Sequence, residues 1–332
     1  MVPGLLPVRT RPKPEESLSS WIARTAFENG IYLQTFCHLV WHRKPIWNRD
    51  TDRTEDLEIL RRLASLTATS PQKAIATTIR HYEGLVFRKF SVSGTQRHVT
   101  SLGIYHRTHK RFGQTYCPLC LEEEGYFKLS WRFAFITVCT KHNQRLWDRC
   151  WKCETPICIH RGRWLHCDAC DADLRKASSL ERDSRALLLQ THLQAAMEGR
   201  PFWAVPAQSS LNLFDLIYDF SRALGTRHPK NQAFRTAICE LAEARPNWVL
   251  PIQSSRYPQT ETMECLNRHQ IMAFIARIFS NWPWTFVACA TRADFRASCM
   301  FRDWKPTSKE LAETVEAFLS YPSANLPDNF KH

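Results

Sequence analysis

Apolar residues recur at helical spacing along most of this chain, and one central stretch breaks the rule. Leu18, Trp21, Ile22 and Ala26 follow the i, i+3, i+4 pattern of a helix with one buried face, opened by Ser17 and closed by Asn29-Gly30 as a left-handed cap. Phe36, Leu39 and Val40 predict a second helix that ends before Pro45. A third, capped by the Thr54 hydroxyl, turns Leu57, Leu60, Leu63 and Ala64 inward. Ser70-Pro71 opens a fourth, with Ile75 and Ile79 facing the core and Gly84 as its stop. The short turn between the last two predicts a helix-turn-helix corner. Beyond a polar junction near residues 176–182 the helical pattern returns. Leu187 to Met197 ends at Gly199, and Leu213, Leu216, Ile217 and Phe220 precede Gly225. Phe234, Ile238 and Leu241 come before Pro246, and Met263 to Phe279 carries Leu266, Ile271, Phe274, Ile275 and Ile278 inward before Pro283. Thr307 with Glu310 predicts a capping box for a last helix built on Leu311, Val315, Phe318 and Leu319, and the tail after Pro322 is polar.

The central stretch alternates instead. Phe127, Leu129, Trp131, Phe133 and Phe135 are separated by Lys128, Ser130, Arg132 and Ala134, which predicts a strand with one apolar face. Lys141 to Gln144 reads as a turn, and Leu146-Trp147 as the start of a returning strand.

Around that stretch lie four half-sites of one kind. Cys117-x-x-Cys120, Cys139-x-x-His142, Cys150-x-x-Cys153 and Cys167-x-x-Cys170 each let two side chains converge on one ion from a tight turn. The simplest assignment is two structural zinc ions, one held by Cys₃His and one by Cys₄, because all four tetrahedral positions are then protein. The loop from Cys153 to Cys167 is slightly short for a ribbon, and Cys158, His160 and His166 lie within reach of it. Replacement of one ligand of the second site therefore stays open. Disulfides are disfavoured, since they do not explain His142. The scattered Cys37, Cys239, Cys265, Cys289 and Cys299 read as core thiols.

Composition sharpens the picture. The 332 residues suffice for two or three domains, and the formal net charge of +13 points to a polyanionic partner, above all nucleic acid. No apolar run approaches the roughly 20 residues of a membrane span. Residues 1–14 lack the apolar core of a signal peptide, so a reducing, cytoplasmic setting is expected. That acid-free start, with Arg9, Arg11 and Lys13, reads as an extended arm tied to a surface or laid along a partner. Residues 84–121 contain no Asp or Glu, and carry Arg88, Lys89, Arg97, Arg107, Lys110 and Arg111 with interleaved His98, His106 and His109. They are the candidate phosphate contacts. The bland alternative is a loop that neutralises acids elsewhere in the fold. Residues 125–147 are acid-free as well.

Catalytic patterns are missing from the sequence. It holds no P-loop, no Gly-rich dinucleotide motif, no Gly-x-Ser-x-Gly elbow and no His-Glu-x-x-His. A dispersed carboxylate cluster stays open, but the expectation is a protein that is not an enzyme.

Glu16-Ser17-Leu18-Ser19-Ser20-Trp21 and Tyr116-Cys117-Pro118-Leu119-Cys120-Leu121, followed by Tyr126, Trp131, Cys139, His142, Cys150 and Cys153, resemble the TniQ family in order and spacing. The resemblance implies a mainly α protein. It would have an N-terminal helix-turn-helix domain over residues 1–115, a central double zinc-ribbon module with short β-hairpins over 116–176, and a C-terminal helical domain over 177–332 with a second helix-turn-helix. It further implies a non-catalytic transposition target selector that works with the AAA+ ATPase TnsC. Shorter members dock on a Cascade-type CRISPR effector with its guide RNA, while longer TnsD-type members read target DNA directly. A homodimer and a bacterial cytoplasmic setting belong to the same expectation. At 332 residues the chain is shorter than typical TnsD proteins, which favours the adaptor role.

Overall fold

A computed structural model describes residues 4–42, 44–203, 206–241, 259–301 and 304–319. Pro246 and the polar tail after Pro322 lie outside the described residues. The chain divides into two compact units, Met1–Glu83 with Lys89–Glu181 and Gly84–Arg88 with Arg182–His332. Both are mainly helical, and the described strands are two short hairpins.

In the first unit, α1 (Leu18–Glu28) starts where Ser17 Oγ accepts from the Ser20 amide, as its sequence predicts. Gly30, at φ +67°, takes the left-handed position that closes it. α2 (Leu33–Trp41), α3 (Leu57–Thr67) and α4 (Pro71–Ile75) follow. Trp21, Ile22, Phe36, Val40, Leu60 and Leu63 meet in one core, each such side chain contributing about 1.5–3 kcal/mol by burial. Beside this core Arg24 is buried and bonded to Glu16 (2.7 Å) and Glu28 (2.8 Å). The N-terminal arm is tied to its own unit. Trp21 Nε1 donates to the Thr10 carbonyl (2.7 Å), and the Leu6 amide to that of Leu66 (2.9 Å).

Several local expectations shift. α3 is capped by Asp56, not Thr54; Thr54 Oγ1 accepts the Asp56 amide instead. Leu39, Leu57 and Ile75, expected inward, are exposed. The helix from Ser70 stops at Ile75, and a separate 3₁₀ turn spans Ile79–Tyr82. The corner between α3 and α4 exists, but its second helix has only five residues. Residues 127–135 do not form a strand. Leu129–Arg132 is a 3₁₀ turn, with only single bridges Glu16↔Lys128 and Val99↔Phe133 at its ends. Alternation misleads here because Ser130 and Arg132 are as buried as the aromatic residues between them.

The second unit packs α6 (Ser184–Met197), α7 (Ser210–Gly225), α8 (Pro229–Leu241), α9 (Cys265–Phe279), α10 (Trp284–Arg292), α11 (Ala297–Met300) and α12 (Lys309–Leu319). Phe214, Phe220, Phe234, Ile271, Ile275 and Phe286 fill its core. Leu266 and Leu241, expected inward, are exposed. At the last helix, Ser308 Oγ accepts from the Leu311 amide, the part expected of Thr307. Thr307 is held instead by the buried Asp219, which accepts from its amide and its hydroxyl (both 2.8 Å). No helix among the described residues is long and apolar enough to cross a membrane.

Candidate metal centres and the basic hairpin

α5 (Pro118–Glu123) begins at Cys117, with Pro118 fitting the first helical position where no amide bond is needed. One turn on, Cys120 comes back beside Cys117. The antiparallel hairpin β3 (Val138–Cys139) and β4 (Gln144–Arg145) turns through His142 and brings that ring to the same place. Zinc with Zn–S about 2.3 Å and Zn–N about 2.0–2.1 Å sets tetrahedral edges of about 3.8 Å between sulfurs and about 3.6 Å between sulfur and nitrogen. Here Cys120 Sγ stands 3.6 Å from Cys139 Sγ. His142 Nδ1 stands 3.4, 3.2 and 3.5 Å from the sulfurs of Cys117, Cys120 and Cys139. His142 Nε2 meets Glu123 Oε1 at 3.1 Å, a carboxylate that orients the ring. Gln144 Nε2 donates to Cys117 Sγ (3.0 Å). Thiol hydrogen bonds from Cys120 and Cys139, with that amide, hold Cys117 well below the ordinary thiol range, toward the thiolate a metal needs.

The second cluster is all cysteine. Cys150 and Cys170 are 3.7 Å apart, and Cys153 and Cys167 3.6 Å. In three of the four half-sites a backbone amide points at the first sulfur: His142 to Cys139, Lys152 to Cys150 and Ala169 to Cys167, all at 3.4 Å. Asn143, Glu154 and Asp171, the residues just after three of the pairs, have φ of 52°, 58° and 53°. That left-handed step turns the chain away from the ion. Both clusters gather the eight residues picked out by spacing, and both could hold zinc. His166 is not among them; its Nδ1 bonds the Trp164 carbonyl.

Cys158 and His160 gather elsewhere, with His109. Nothing in the sequence spacing joins His109 to them. Burial pushes His160 down to about 3 and His109 down to about 4, so both rings are neutral.

His109 belongs to the hairpin β1 (Ile104–Tyr105) and β2 (Thr108–His109), which turns through His106 and Arg107 at φ 46° and 61°. Arg107, Lys110 and Arg111 are exposed. Arg107 Nε donates to the neutral Asn48 Oδ1 (3.2 Å), and an Arg111 nitrogen to Ser101 Oγ (3.2 Å). Lys89 is exposed as well, and Arg97 is half-buried. Arg88 lies in the second unit's short segment and pairs with Asp215 (2.8 Å), so it fits the neutralising alternative.

Lys128, Arg132 and Lys141 of residues 125–147 behave like Arg88. Arg132 is fully buried between Asp50 (2.7 Å) and Asp52 (2.9 Å). Burial, the largest single effect, would raise Asp50, but the charge and hydrogen bond of Arg132, together with the Arg53 charge, hold that carboxyl below its ordinary value. Burial pushes Asp52 the other way. Lys128 meets Glu124 (3.2 Å) and Lys141 meets Glu123 (2.7 Å). Sequence reasoning missed the Arg132 pairing, because its acids lie some 80 residues earlier.

With the helices, the first cluster and its hairpin in place, one comparison bears on this part of the chain. Residues 7–146 match the TniQ family model. That stretch is a TniQ domain. The TniQ match takes in α1 to α4 and the Cys117–His142 cluster, and ends before the Cys150–Cys170 cluster. TniQ proteins are non-catalytic target-selection or adaptor proteins associated with transposons. Comparison with curated proteins finds no match.

Proposed function

We propose that this chain is a target-selection adaptor that links an RNA-guided Cascade-type CRISPR complex to the AAA+ regulator TnsC for directed DNA insertion. The TniQ match over residues 7–146 supports the general role. The observation that carries the finer reading is α4. A helix of five residues is too short to lie along a major groove as the reading element of a helix-turn-helix. Sequence recognition is then delegated to the guide. The chain's own contribution is a set of exposed cations, Arg107, Lys110, Arg111 and Lys89, that contact a nucleic-acid backbone.

The test is binding by the full chain at two salt concentrations. An adaptor binds random duplex DNA weakly, with steep salt dependence and no sequence preference. It also co-purifies with Cascade and with TnsC when these are co-expressed. A DNA site bound about 10³-fold above random duplex, with no association with Cascade, overturns the reading in favour of direct recognition of the TnsD kind.

A further inference from the structure

His109, Cys158 and His160 each place one ligand atom within 4.8 Å of the other two. The hydrogen bonds around them sort the ring nitrogens. His109 Nδ1 is 2.7 Å from the Ile157 carbonyl, and His160 Nε2 is 2.8 Å from the Arg107 carbonyl. A carbonyl can only accept, so each of these nitrogens carries the proton. The lone pairs are left on His109 Nε2 and His160 Nδ1. Backbone carbonyls that hold one imidazole nitrogen so that the other can bind metal are the usual outer partners of a histidine ligand. His142 in the first cluster is used in the same way, with Glu123 as its partner.

Cys158 Sγ is 3.6 Å from His160 Nδ1 and 3.7 Å from the already committed Nε2, so it lies against the ring. The first value matches the sulfur–nitrogen edge of about 3.6 Å around tetrahedral zinc; the second is shorter than the roughly 5 Å such an ion sets, so the thiolate turns about its χ1 as the ion enters. A thiol–imidazole hydrogen bond would account for that one contact. It would not account for His109, which arrives from a different hairpin with its lone pair unclaimed by the carbonyl. Cys158 and His160 are buried, and His160 is further fixed by stacking on Trp47 at 4.5 Å between centroids. His109 and His160 line a narrow cleft together with Trp47 and Asp50. The charges around the site are mixed: Asp50 and Arg132 both act on His109, and Asp168 and Arg161 both act on Cys158.

We propose that His109, Cys158 and His160 form a third metal site, which takes a borderline-soft divalent ion such as zinc with three protein ligands and a water from the cleft. One thiolate and two neutral imidazoles suit zinc, and exclude calcium or magnesium, which need oxygen ligands. On binding, the Cys158 S–H proton leaves to solvent and the sulfur enters as thiolate. Its position gives the site a purpose. His109 ends the basic hairpin, while Cys158 and His160 lie in the loop between the two halves of the Cys₄ cluster. An ion here staples the hairpin carrying Arg107 to that cluster. The site does not depend on what the cations contact.

The full-length protein, purified without chelator, should contain three zinc ions per chain. After chelation, titration with Co²⁺ should give three equivalents. The weakest should add one thiolate's share of near-ultraviolet charge-transfer absorbance, against three or four for each of the others. Cys158→Ser and His109→Gln should each lower the count to two, and the two remaining ions show that the fold is kept. Loss of the third ion should also speed amide exchange in the β1–β2 hairpin. A wild-type count of two overturns the proposal. So does a count of three that neither substitution lowers. If a variant fails to fold and loses every ion, the wild-type titration decides alone: a third equivalent with a single-thiolate signature supports the site, and its absence refutes it.

Discussion

The β1–β2 hairpin leaves its cations in solvent, whereas in residues 125–147 Lys128, Arg132 and Lys141 are answered by carboxylates from elsewhere in the same unit. Arg107 and Arg111 reach only neutral oxygens. Arg132 reaches two aspartates, and Lys128 and Lys141 reach glutamates. Both stretches lack acids of their own. The difference teaches what a one-sided charge run means. A run becomes a binding surface only where the fold brings no acid to it. Inside a low-dielectric core the opposite solution is forced, because a buried guanidinium without partners would cost several kcal/mol.

The sharpest way to break this contrast is through the first cysteine cluster, which could hold zinc and includes two residues of the 125–147 stretch. Cys139→Ser removes one of its four candidate ligands. Metal binding in such modules is worth about 10–16 kcal/mol, which matches or exceeds the whole stability of most domains. Cooperative unfolding of the first unit should be lost, and zinc content should fall. A variant that melts like wild type would show that packing alone holds residues 125–147.

Next in size is Arg132→Leu, which leaves Asp50 and Asp52 buried without their cation. It should cost about 3–5 kcal/mol in chemical denaturation. Adding Asp50→Asn and Asp52→Asn should restore much of that. The same change at the hairpin, Arg107→Leu, should move stability by less than about 0.5 kcal/mol, as for an ordinary surface position. Equal losses at the two arginines would erase the distinction. Smallest is Lys141→Ala: its ion pairs are solvent-exposed, and its melting curve should overlay that of wild type.

How far these features can be read from sequence follows from how local their causes are. The four x₂ half-sites are local, so spacing alone picks out the eight residues that gather. Ser17 and the apolar stripe of α1 are local too. The alternation of residues 127–135 is local and still misleads, since it shows which side chains are apolar and not that both faces are buried. Ser130 and Arg132 are the exceptions that defeat it. The cap of α3 moved by two residues because Thr54 and Asp56 compete for one role with similar chemistry. Non-local pairings leave no pattern. Nothing near Arg132 announces Asp50, and nothing near Cys158 announces His109. Such contacts are fixed by tertiary packing.

On the proposed function, the hairpin cations contact a nucleic-acid backbone while Lys128, Arg132 and Lys141 serve the fold. Two charge-reversed proteins test it side by side. One carries Arg107→Glu, Lys110→Glu and Arg111→Glu; the other carries Lys128→Glu and Lys141→Glu. Binding to random duplex DNA and to single-stranded RNA is measured across a salt series, with zinc content as the control for folding. The hairpin variant should lose affinity, and its salt slope should fall by up to about one unit per lost phosphate contact, with metal content unchanged. The second variant should keep the wild-type slope. A hairpin variant that binds like wild type, or equal slope losses in both proteins, would contradict the claim.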